Sequence, residues 1–195
     1  EYFGHNGDRV KGLVFCSRND EAKALSDAFN KRGYNTIALS GSNSQSEREE
    51  AVERLEMECD VDENGRPVSN QPLDYIFTVD IFNEGVDIPK VNQVIMLRPT
   101  QSAIIFVQQL GRGLRKADGK EYVVVLDFIG NYSNNFLIPI ALSGDRTYNK
   151  DNVRKYVREG ARVIPGSSTI HFDEITKKKI FESIDKMTTT KRMLT

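Results

Sequence analysis

The sequence predicts an α/β fold in which helices cover both faces of a mostly parallel sheet. Five short apolar runs have the length of buried strands, and amphipathic or polar segments separate them. Strands that are apolar along their whole length are typical of parallel sheets buried on both faces. The chain has 195 residues and 38% hydrophobic content, which is enough for one core and a small appendage.

Each predicted strand is a run of four or more largely apolar residues. The five runs are Val10–Cys16, Tyr34–Ser40, Asp74–Asp80, Val91–Leu97 and Glu121–Phe128. A helix is expected after the first strand, because apolar residues there recur at helical spacing as far as about Lys31. Asn19 or Asp20 is the expected N-cap, and Gly33 is expected to end this helix.

A second helix is expected between the second and third strands. Ser46 followed by Glu49 has the spacing of a capping box, and the helix is predicted to run to about Glu58. The polar stretch Cys59–Pro72, with the turn signal DENGRP, predicts a surface loop. A further helix is expected over Ser133–Leu142, after the fifth strand.

The character of the chain changes after Ser143, where the sequence becomes polar and charged. A boundary is therefore predicted near residue 146, giving a main domain over 1–146 and an accessory segment or truncated next domain over 147–195. In this second part a short strand and a proline-free helix are expected, which makes it a small α/β appendage. Because the chain opens with Glu1 instead of Met, we expect it to be a piece of a longer protein.

Composition excludes several classes of function. The net charge of −1 gives no bulk support for nucleic-acid binding, although a local basic patch stays possible. Cys16 and Cys59 are far apart and lack a CxxC spacing, so reduced thiols in the cytoplasm are expected instead of a disulfide or zinc site. His5 and His171 form no metal-binding cluster in sequence, and no apolar run approaches the roughly 20 residues of a membrane helix.

The segment QQLGRGLRK places polar and apolar side chains on different sides of a helix. At about 100° per residue, Gln108, Arg112 and Arg115 fall within about 60° of one another. Two guanidinium groups on one ridge suit phosphate, because each presents a planar set of donors. A basic helix end that is simply exposed to solvent would have the same sequence. Phosphate binding and a solvated helix end therefore both stay open as interpretations.

Other loops after predicted strands carry weaker signals. In FNEGVDIPK, Gly85 allows a tight turn and Asp87 could accept from a ribose hydroxyl, but an ordinary connection would look the same. The CSRND stretch could be only a helix cap. No Walker A motif occurs, since the nearest candidate around Lys120 lacks the upstream glycine and the following Ser or Thr. The acidic stretch at Asp62 follows no apolar strand, so it is not a magnesium-binding box.

Taken together and in this order, the segments resemble the second RecA-like domain of superfamily-two helicases and translocases. GLVFCSRNDEAKALSDAFNKRG resembles motif IV and its helix, and SGSNSQSERE resembles the stretch that follows it. FTVDIFNEGVDIP resembles motif V, and QQLGRGLR matches the Q-x-x-G-R-x-x-R form of motif VI. The resemblance covers about residues 9 to 143. The sequences of motifs V and VI most resemble those of restriction-subunit-like and DEAD/DEAH-like DNA helicases.

The resemblance implies a role for eleven residues at a site completed by another domain. ATP and Mg²⁺ would be held mainly by a first RecA-like domain, absent from this chain and expected in cis. The implied catalytic residues are the arginine fingers Arg112 and Arg115. The implied nucleotide-binding residues are Gly85, Asp87 and Gln108. The implied nucleic-acid contacts, preferably to DNA, are Ser17, Arg18, Gly41, Arg48, Thr78 and Asp80.

The sequence departs from the family pattern at three places. Val79 stands where many relatives have threonine before the motif V aspartate, Gln108 stands where some have histidine, and the loop Cys59–Pro72 is longer than usual. The leading hypothesis is therefore a fragment of an ATP-dependent helicase that is inactive as an ATPase alone. A restriction-type double-strand DNA translocase and a non-catalytic α/β anion-binding module are the alternatives.

Overall fold

The computed structural model describes residues 4–65, 67–69, 71–79, 81, 88–98, 118, 120–128, 149–159 and 172–186. The chain divides into two compact units, each described here by itself. The described parts of 4–98 and 118–128 form the sheet unit, and 149–159 with 172–186 form the helical unit. The predicted boundary near residue 146 lies outside the described residues and stays a prediction.

The sheet unit is built on a five-stranded parallel sheet. Its strands are β1 (Gly12–Phe15), β2 (Thr36–Leu39), β3 (Tyr75–Thr78), β4 (Gln93–Met96) and β5 (Val124–Asp127). Their order is β2-β3-β1-β4-β5, and every neighbouring pair is parallel. Each strand lies inside one of the five predicted runs, so the predicted α/β class with its parallel sheet is confirmed.

The central strand β1 is buried on both faces, as its unbroken apolar sequence predicts. On one face, Val14 packs with Tyr75 and Phe77 of β3 and with Ala22 of the first helix. The alternate residues, such as Leu13, are also fully buried. The sheet therefore has a packed layer on each side.

Helix α1 (Asn19–Asn30) packs against β2 and β3. Its Phe29 ring meets the rings of Tyr75 and Phe77 edge-on, at centroid distances of 5.4 and 5.1 Å. The helix ends before Gly33, whose φ of 86° is readily adopted by glycine, as predicted.

The expected N-cap of α1 is wrong. Arg18 occupies the N-cap position in an extended conformation with no side-chain capping bond, and Asn19 and Asp20 lie inside the helix. The Glu21 carboxylate accepts the backbone N–H of Ser17 at 2.9 Å. The carboxylate of Asp20 turns toward the Arg18 guanidinium, at 3.4 Å, instead of toward the backbone.

Helix α2 (Gln45–Glu56) begins with a capping box, but two residues earlier than predicted. The Ser44 hydroxyl accepts from the backbone N–H of Glu47, and the Glu47 carboxylate accepts from the N–H of Ser44 at 2.6 Å. The predicted pair Ser46 and Glu49 lies within the helix. Both pairs have the same spacing, and the turn before Ser44 selects the first of them. The helix also ends at Glu56, two residues before the predicted end.

The carbonyl groups at the end of α2 bind a buried arginine. Arg9 is 3% exposed. Its Nη2 donates to the carbonyl oxygens of Leu55 and Met57, both at 2.7 Å, and its Nη1 donates to that of Leu73 at 2.7 Å. A cation at a helix C-terminus is favourable, because the unpaired carbonyls carry partial negative charge. Burial lowers the pKa of Arg9 from its ordinary value.

The connection between α2 and β3 is a polar loop, as predicted. Its described residues include an isolated antiparallel bridge between Val61 and Pro67 and a turn at Gly65, whose φ is 72°. The carboxylate of Asp62 accepts the N–H of Asn64 at 2.8 Å within this turn. The predicted helix at Ser133–Leu142 lies outside the described residues.

The helical unit contains α3 (Lys150–Glu159) and α4 (Glu174–Lys186). The two helices contact each other, and Val153, Val157, Ile180 and Ile184 are their buried side chains. The prediction of a helix here is confirmed for α4, whereas α3 was not predicted. The strand expected before α4 falls almost entirely outside the described residues. None of the described helices is long and apolar enough to cross a membrane.

Candidate nucleic-acid interface

The carboxyl ends of the five parallel strands lie along one edge of the sheet, here called the carboxyl edge. Ligand sites of open α/β sheets form outside this edge. The polar loops singled out from the sequence follow β1 and β2 there, so the structure brings Ser17, Arg18 and Gly41 to the same edge. Because β3 separates β1 from β2, and neighbouring strands are about 4.8 Å apart, the two loops start about 10 Å from one another.

The loop after β1 presents an exposed serine and an exposed arginine. The backbone N–H of Ser17 is bound to the Glu21 carboxylate, and the exposed serine can still offer its hydroxyl to a ligand. Among the residues that the structure describes, Arg18 is paired with Asp20 alone, at 3.4 Å, and its side chain is 74% exposed. Exposed ion pairs contribute at most about 1 kcal/mol, so a phosphate could replace Asp20 at little cost.

The loop after β2 is ordered by its own polar groups. The side-chain oxygen of Asn43 accepts the backbone N–H of Ser40 at 2.8 Å, and the Ser40 carbonyl accepts the N–H of Asn43 at 3.1 Å. Arg48 reaches back from α2, and its Nη2 donates to the carbonyl of Gly41 at 3.1 Å. This bond between Arg48 and Gly41 fixes the position of the loop. The Nε of Arg48 is buried and has no hydrogen-bond partner in the described part of the chain.

Gly41 leaves its surroundings open. No atom lies within 4 Å of the position that a Cβ would take there, and its φ is not in the left-handed region. The backbone of this loop is therefore accessible to a large ligand. Sequence reasoning missed Asn43, which holds the loop in shape. The preference of asparagine for turns that bond their own backbone was the available signal.

Thr78 is buried more deeply than a contact residue is expected to be. It is the last residue of β3, between Phe15 and Leu39 in the sheet, and it is 0% exposed. Its hydroxyl is buried and has no hydrogen-bond partner among the described residues. The following Val79 packs against the cluster beneath α1. A phosphate contact through Thr78 would require this buried hydroxyl to become accessible.

Six of the eleven predicted site residues lie outside the described residues. They are Asp80, Gly85, Asp87, Gln108, Arg112 and Arg115. The strands that precede them are described: β3 ends at Thr78 and β4 at Met96, both at the carboxyl edge. Both segments therefore leave the sheet from the edge that carries Ser17, Arg18 and Gly41.

A shallow groove lies between α1 and the edge strand β2. Its lining runs along both elements and reaches Asn19 and Ser40 at the carboxyl edge. Its walls carry one cation, Lys23, and one anion, Asp27. The groove is therefore nearly neutral in charge and provides no anion pocket by itself. Within the ranges that the structure describes, no three His, Cys, Asp or Glu side chains are grouped as metal ligands.

The opposite edge of the sheet carries a charged cluster with a different role. The carboxylate of Glu58 accepts from Lys90 Nζ at 2.6 Å and from Lys11 Nζ at 3.0 Å. Hydrogen bonds to Lys90, and then to Lys11, lower the pKa of Glu58 from 4.5 to about 2. Lys11 is at the start of β1 and is largely buried, so this cluster anchors the end of α2 to the sheet.

Comparison with known proteins gives a family match over most of the sheet unit. Residues 1–117 match the family model described as the helicase conserved C-terminal domain. The Saccharomyces cerevisiae protein named "Putative ATP-dependent helicase IRC3" is 27% identical over 135 residues. That alignment covers 69% of this chain and 18% of the yeast protein, so the chain spans less than a fifth of this relative.

Solved structures show the same fold. The crystal structure of the yeast DEAD-box splicing factor Prp28 matches with a TM-score of 0.55 and 18% identity, covering 90% of this chain and 31% of that one. The fragment structure titled "a putative HsdR subunit of a type I restriction enzyme", from Vibrio vulnificus, matches with a TM-score of 0.50 and 20% identity. It covers 68% of this chain and 25% of that one.

Proposed function

Because the chain belongs to the helicase conserved C-terminal domain family, we propose that it is the C-terminal motor domain of an ATP-dependent nucleic-acid helicase or translocase. The family match over residues 1–117 is the observation that carries this proposal. The parallel sheet supports it, because the loops with polar and basic residues follow strands that end at one edge. In this proposal the domain acts with a first RecA-like domain in cis, and in the cytoplasm.

The chemical role proposed for the chain is to complete an ATP site held by the other domain. Arg112 and Arg115 would act as arginine fingers, stabilising the charge that develops on the transferred phosphoryl group. Gly85, Asp87 and Gln108 would approach the nucleotide. ATP is the substrate, and its Mg²⁺ would be held mainly by the first domain.

The carboxyl edge is proposed to hold the nucleic-acid backbone. Arg18 can supply a charge-assisted contact, since its one ion-pair partner within the described ranges is an exposed carboxylate. Gly41 lets a phosphate come close to the backbone, and Arg48 keeps that loop in position. Ser17, Thr78 and Asp80 complete the proposed set. Contacts of this type position the strand and do not determine its sequence.

The ATPase activity tests the proposal. We expect no ATP turnover from the 195 residues alone, and nucleic-acid-stimulated turnover from a protein that joins them to a P-loop domain. Comparing stimulation by DNA and by RNA tests the proposal that DNA is the substrate. Robust turnover by the isolated chain would contradict the division of the site between two domains. Absence of turnover in the joined protein would favour a non-catalytic anion-binding module.

A second candidate is a restriction-type motor that moves along double-stranded DNA without separating its strands. The sequences of motifs V and VI resemble those of restriction-subunit-like helicases, and this resemblance favours the translocase. A strand-displacement assay and a triplex-displacement assay on the joined protein distinguish the two. Displacement of a triplex strand without duplex separation would identify the translocase, and duplex separation would identify the helicase.

A further inference from the structure

Charge is distributed unevenly between the two parts of the chain. Residues 147–195 contain 11 of the 27 Lys and Arg residues and 6 of the 28 Asp and Glu residues, a net charge of +5. Residues 1–146 contain the other 16 basic and 22 acidic residues, a net charge of −6. The overall value of −1 therefore conceals a basic segment attached to an acidic one. A basic segment of this kind is the electrostatic signature of a polyanion-binding surface.

The acidic side chains of the helical unit are largely engaged within it. Arg154 bridges Asp151, at 3.1 Å, and Asp185, at 2.5 Å. Asp173 accepts the backbone N–H and the hydroxyl of Thr176 at the start of α4, and these bonds lower the pKa of Asp173. These carboxylates therefore do little to neutralise the cations on the outer surface.

Several cations of the two helices remain exposed. These are Lys155, Arg158, Lys178, Lys179 and Lys186. On α4, the three lysines fall within about 100° of one another and point away from the buried Ile180 and Ile184, at about 100° per residue. Glu182 is also exposed and lies among them on this side of the helix, so the three lysines leave a net charge of +2 there. We call these three lysines the α4 basic face.

We propose that the α4 basic face binds the phosphate backbone of nucleic acid without sequence preference. This inference rests on the proposed function, because it assigns the helical unit a share of the substrate of the same motor. With a rise of 1.5 Å per residue, Lys178 and Lys186 are separated by about 12 Å along the helix, over which one DNA strand presents three to four phosphates. Lysine is a suitable ligand here, since it contacts phosphate as a point charge.

A membrane surface fits α4 less well. A helix that lies in a membrane interface needs a broad apolar face turned to the lipid. In α4 the apolar residues Ile180 and Ile184 are buried, and Ile175 is the exposed large apolar side chain in the described part of this helix. The exposed surface of α4 is therefore charged, with both lysines and carboxylates, and it has no broad apolar face.

The test compares two double substitutions that remove the same charge. Lys178→Gln/Lys179→Gln removes two cations of the α4 basic face. Lys31→Gln/Arg32→Gln removes two exposed cations at the end of α1, which runs back from the carboxyl edge and so ends away from the proposed interface. Both variants and the unmodified 195-residue chain are titrated with labelled single-stranded and duplex DNA of about 20 nucleotides, between about 50 and 200 mM salt. Circular dichroism checks that all three are folded.

We expect the slope of log affinity against log salt to become shallower by roughly 1.4 for single strands and 1.8 for duplex in Lys178→Gln/Lys179→Gln, with a loss of affinity of roughly tenfold. The Lys31→Gln/Arg32→Gln variant is expected to keep the unmodified slope. Equal behaviour of the two variants would overturn the proposal, and so would the absence of DNA binding by the unmodified chain. Binding to anionic vesicles in preference to DNA would overturn it in favour of a membrane surface. This experiment measures DNA binding and not ATP turnover. A failure of the proposed motor function would therefore appear in the ATPase assay and not in this titration.

Discussion

A Cβ atom on Gly12 would lie 2.2 Å from Cδ1 of the Tyr75 ring, so that ring fills the space above β1 that a side chain would need. Gly12 pairs with Tyr75 across the sheet. The Tyr75 hydroxyl donates to the side-chain oxygen of Gln93 at 2.7 Å, which fixes the ring. The close approach of two neighbouring strands therefore depends on a glycine at this position.

Gly12→Ala should destabilise the protein, because neither the ring nor the strand can move without loss of packing. We expect the free energy of unfolding to fall by about 1–3 kcal/mol, the usual cost of overpacking. Urea denaturation measures this change. Gly41→Ala is the matched control, since that position has open space and should keep its stability. Equal denaturation midpoints for the two variants would contradict the steric account.

Arg9→Leu should destabilise the protein more than any exposed substitution. It leaves the buried carbonyls of Leu55 and Leu73 and the partly buried carbonyl of Met57 without this donor, and each unsatisfied buried group costs about 1–3 kcal/mol. A total loss of about 3–5 kcal/mol is expected, measured by denaturant unfolding. Arg18→Leu removes an exposed arginine and should change stability by less than about 0.5 kcal/mol. A similarly small effect of Arg9→Leu would show that water replaces its donors.

Ser44→Ala should weaken α2, whereas Ser46→Ala should not. The Ser44 hydroxyl accepts the Glu47 N–H in the capping box, and loss of such a cap costs about 1 kcal/mol. Ser46 lies in the first turn and is exposed, which makes its substitution a close control for composition and position. Thermal unfolding of the two variants is compared directly. A larger effect of Ser46→Ala would contradict the cap at Ser44 and support Ser46, the N-cap that the sequence pattern predicted.

Glu58 should make the stability depend on pH in the acid range. Its pKa is lowered from 4.5 to about 2, so its stabilising contribution is complete above pH 4.5 and disappears as the pH falls toward 2. Because the side chain is largely exposed, the contribution at neutral pH is about 1 kcal/mol or less. Glu58→Gln should lose this amount at pH 7 and flatten the stability profile below pH 4.5. Glu50→Gln, an exposed substitution on α2, serves as the control, and identical acid profiles for both variants would contradict this account.

The strands and the end of α1 could be predicted because the signals for them lie in short stretches of the sequence. All five strands are short apolar runs, and Gly33 marks the end of α1 through its backbone freedom alone. The order of the strands was not predicted, since it depends on how the crossovers pass over the sheet. The cap of α2 was placed two residues late because Ser44 and Ser46 each have a glutamate three residues later. The turn formed by Asn43 distinguishes them, and the turn preference of asparagine was the sequence signal that could have placed the cap at Ser44.

Contacts between distant parts of the chain were also invisible in the sequence. Arg9 binds carbonyls 46 and 64 residues away, and nothing in its own surroundings predicts that it is buried. Helix α3 was not predicted because, in a charged segment, Val153 and Val157 are its only fully buried residues. At the candidate site, Ser17, Arg18 and Gly41 are exposed and their roles stay predictions, while the complete burial of Thr78 was not foreseen.

The central claim is that this chain completes an ATP site with its arginines, and ATP turnover by an Arg112→Ala variant tests it most directly. In a protein that joins the chain to its P-loop domain, we expect turnover to fall by about 10³-fold or more, with nucleotide binding largely retained. Lys116→Ala removes a neighbouring cation and is expected to keep normal turnover. Turnover of Arg112→Ala as high as that of Lys116→Ala would contradict the claim.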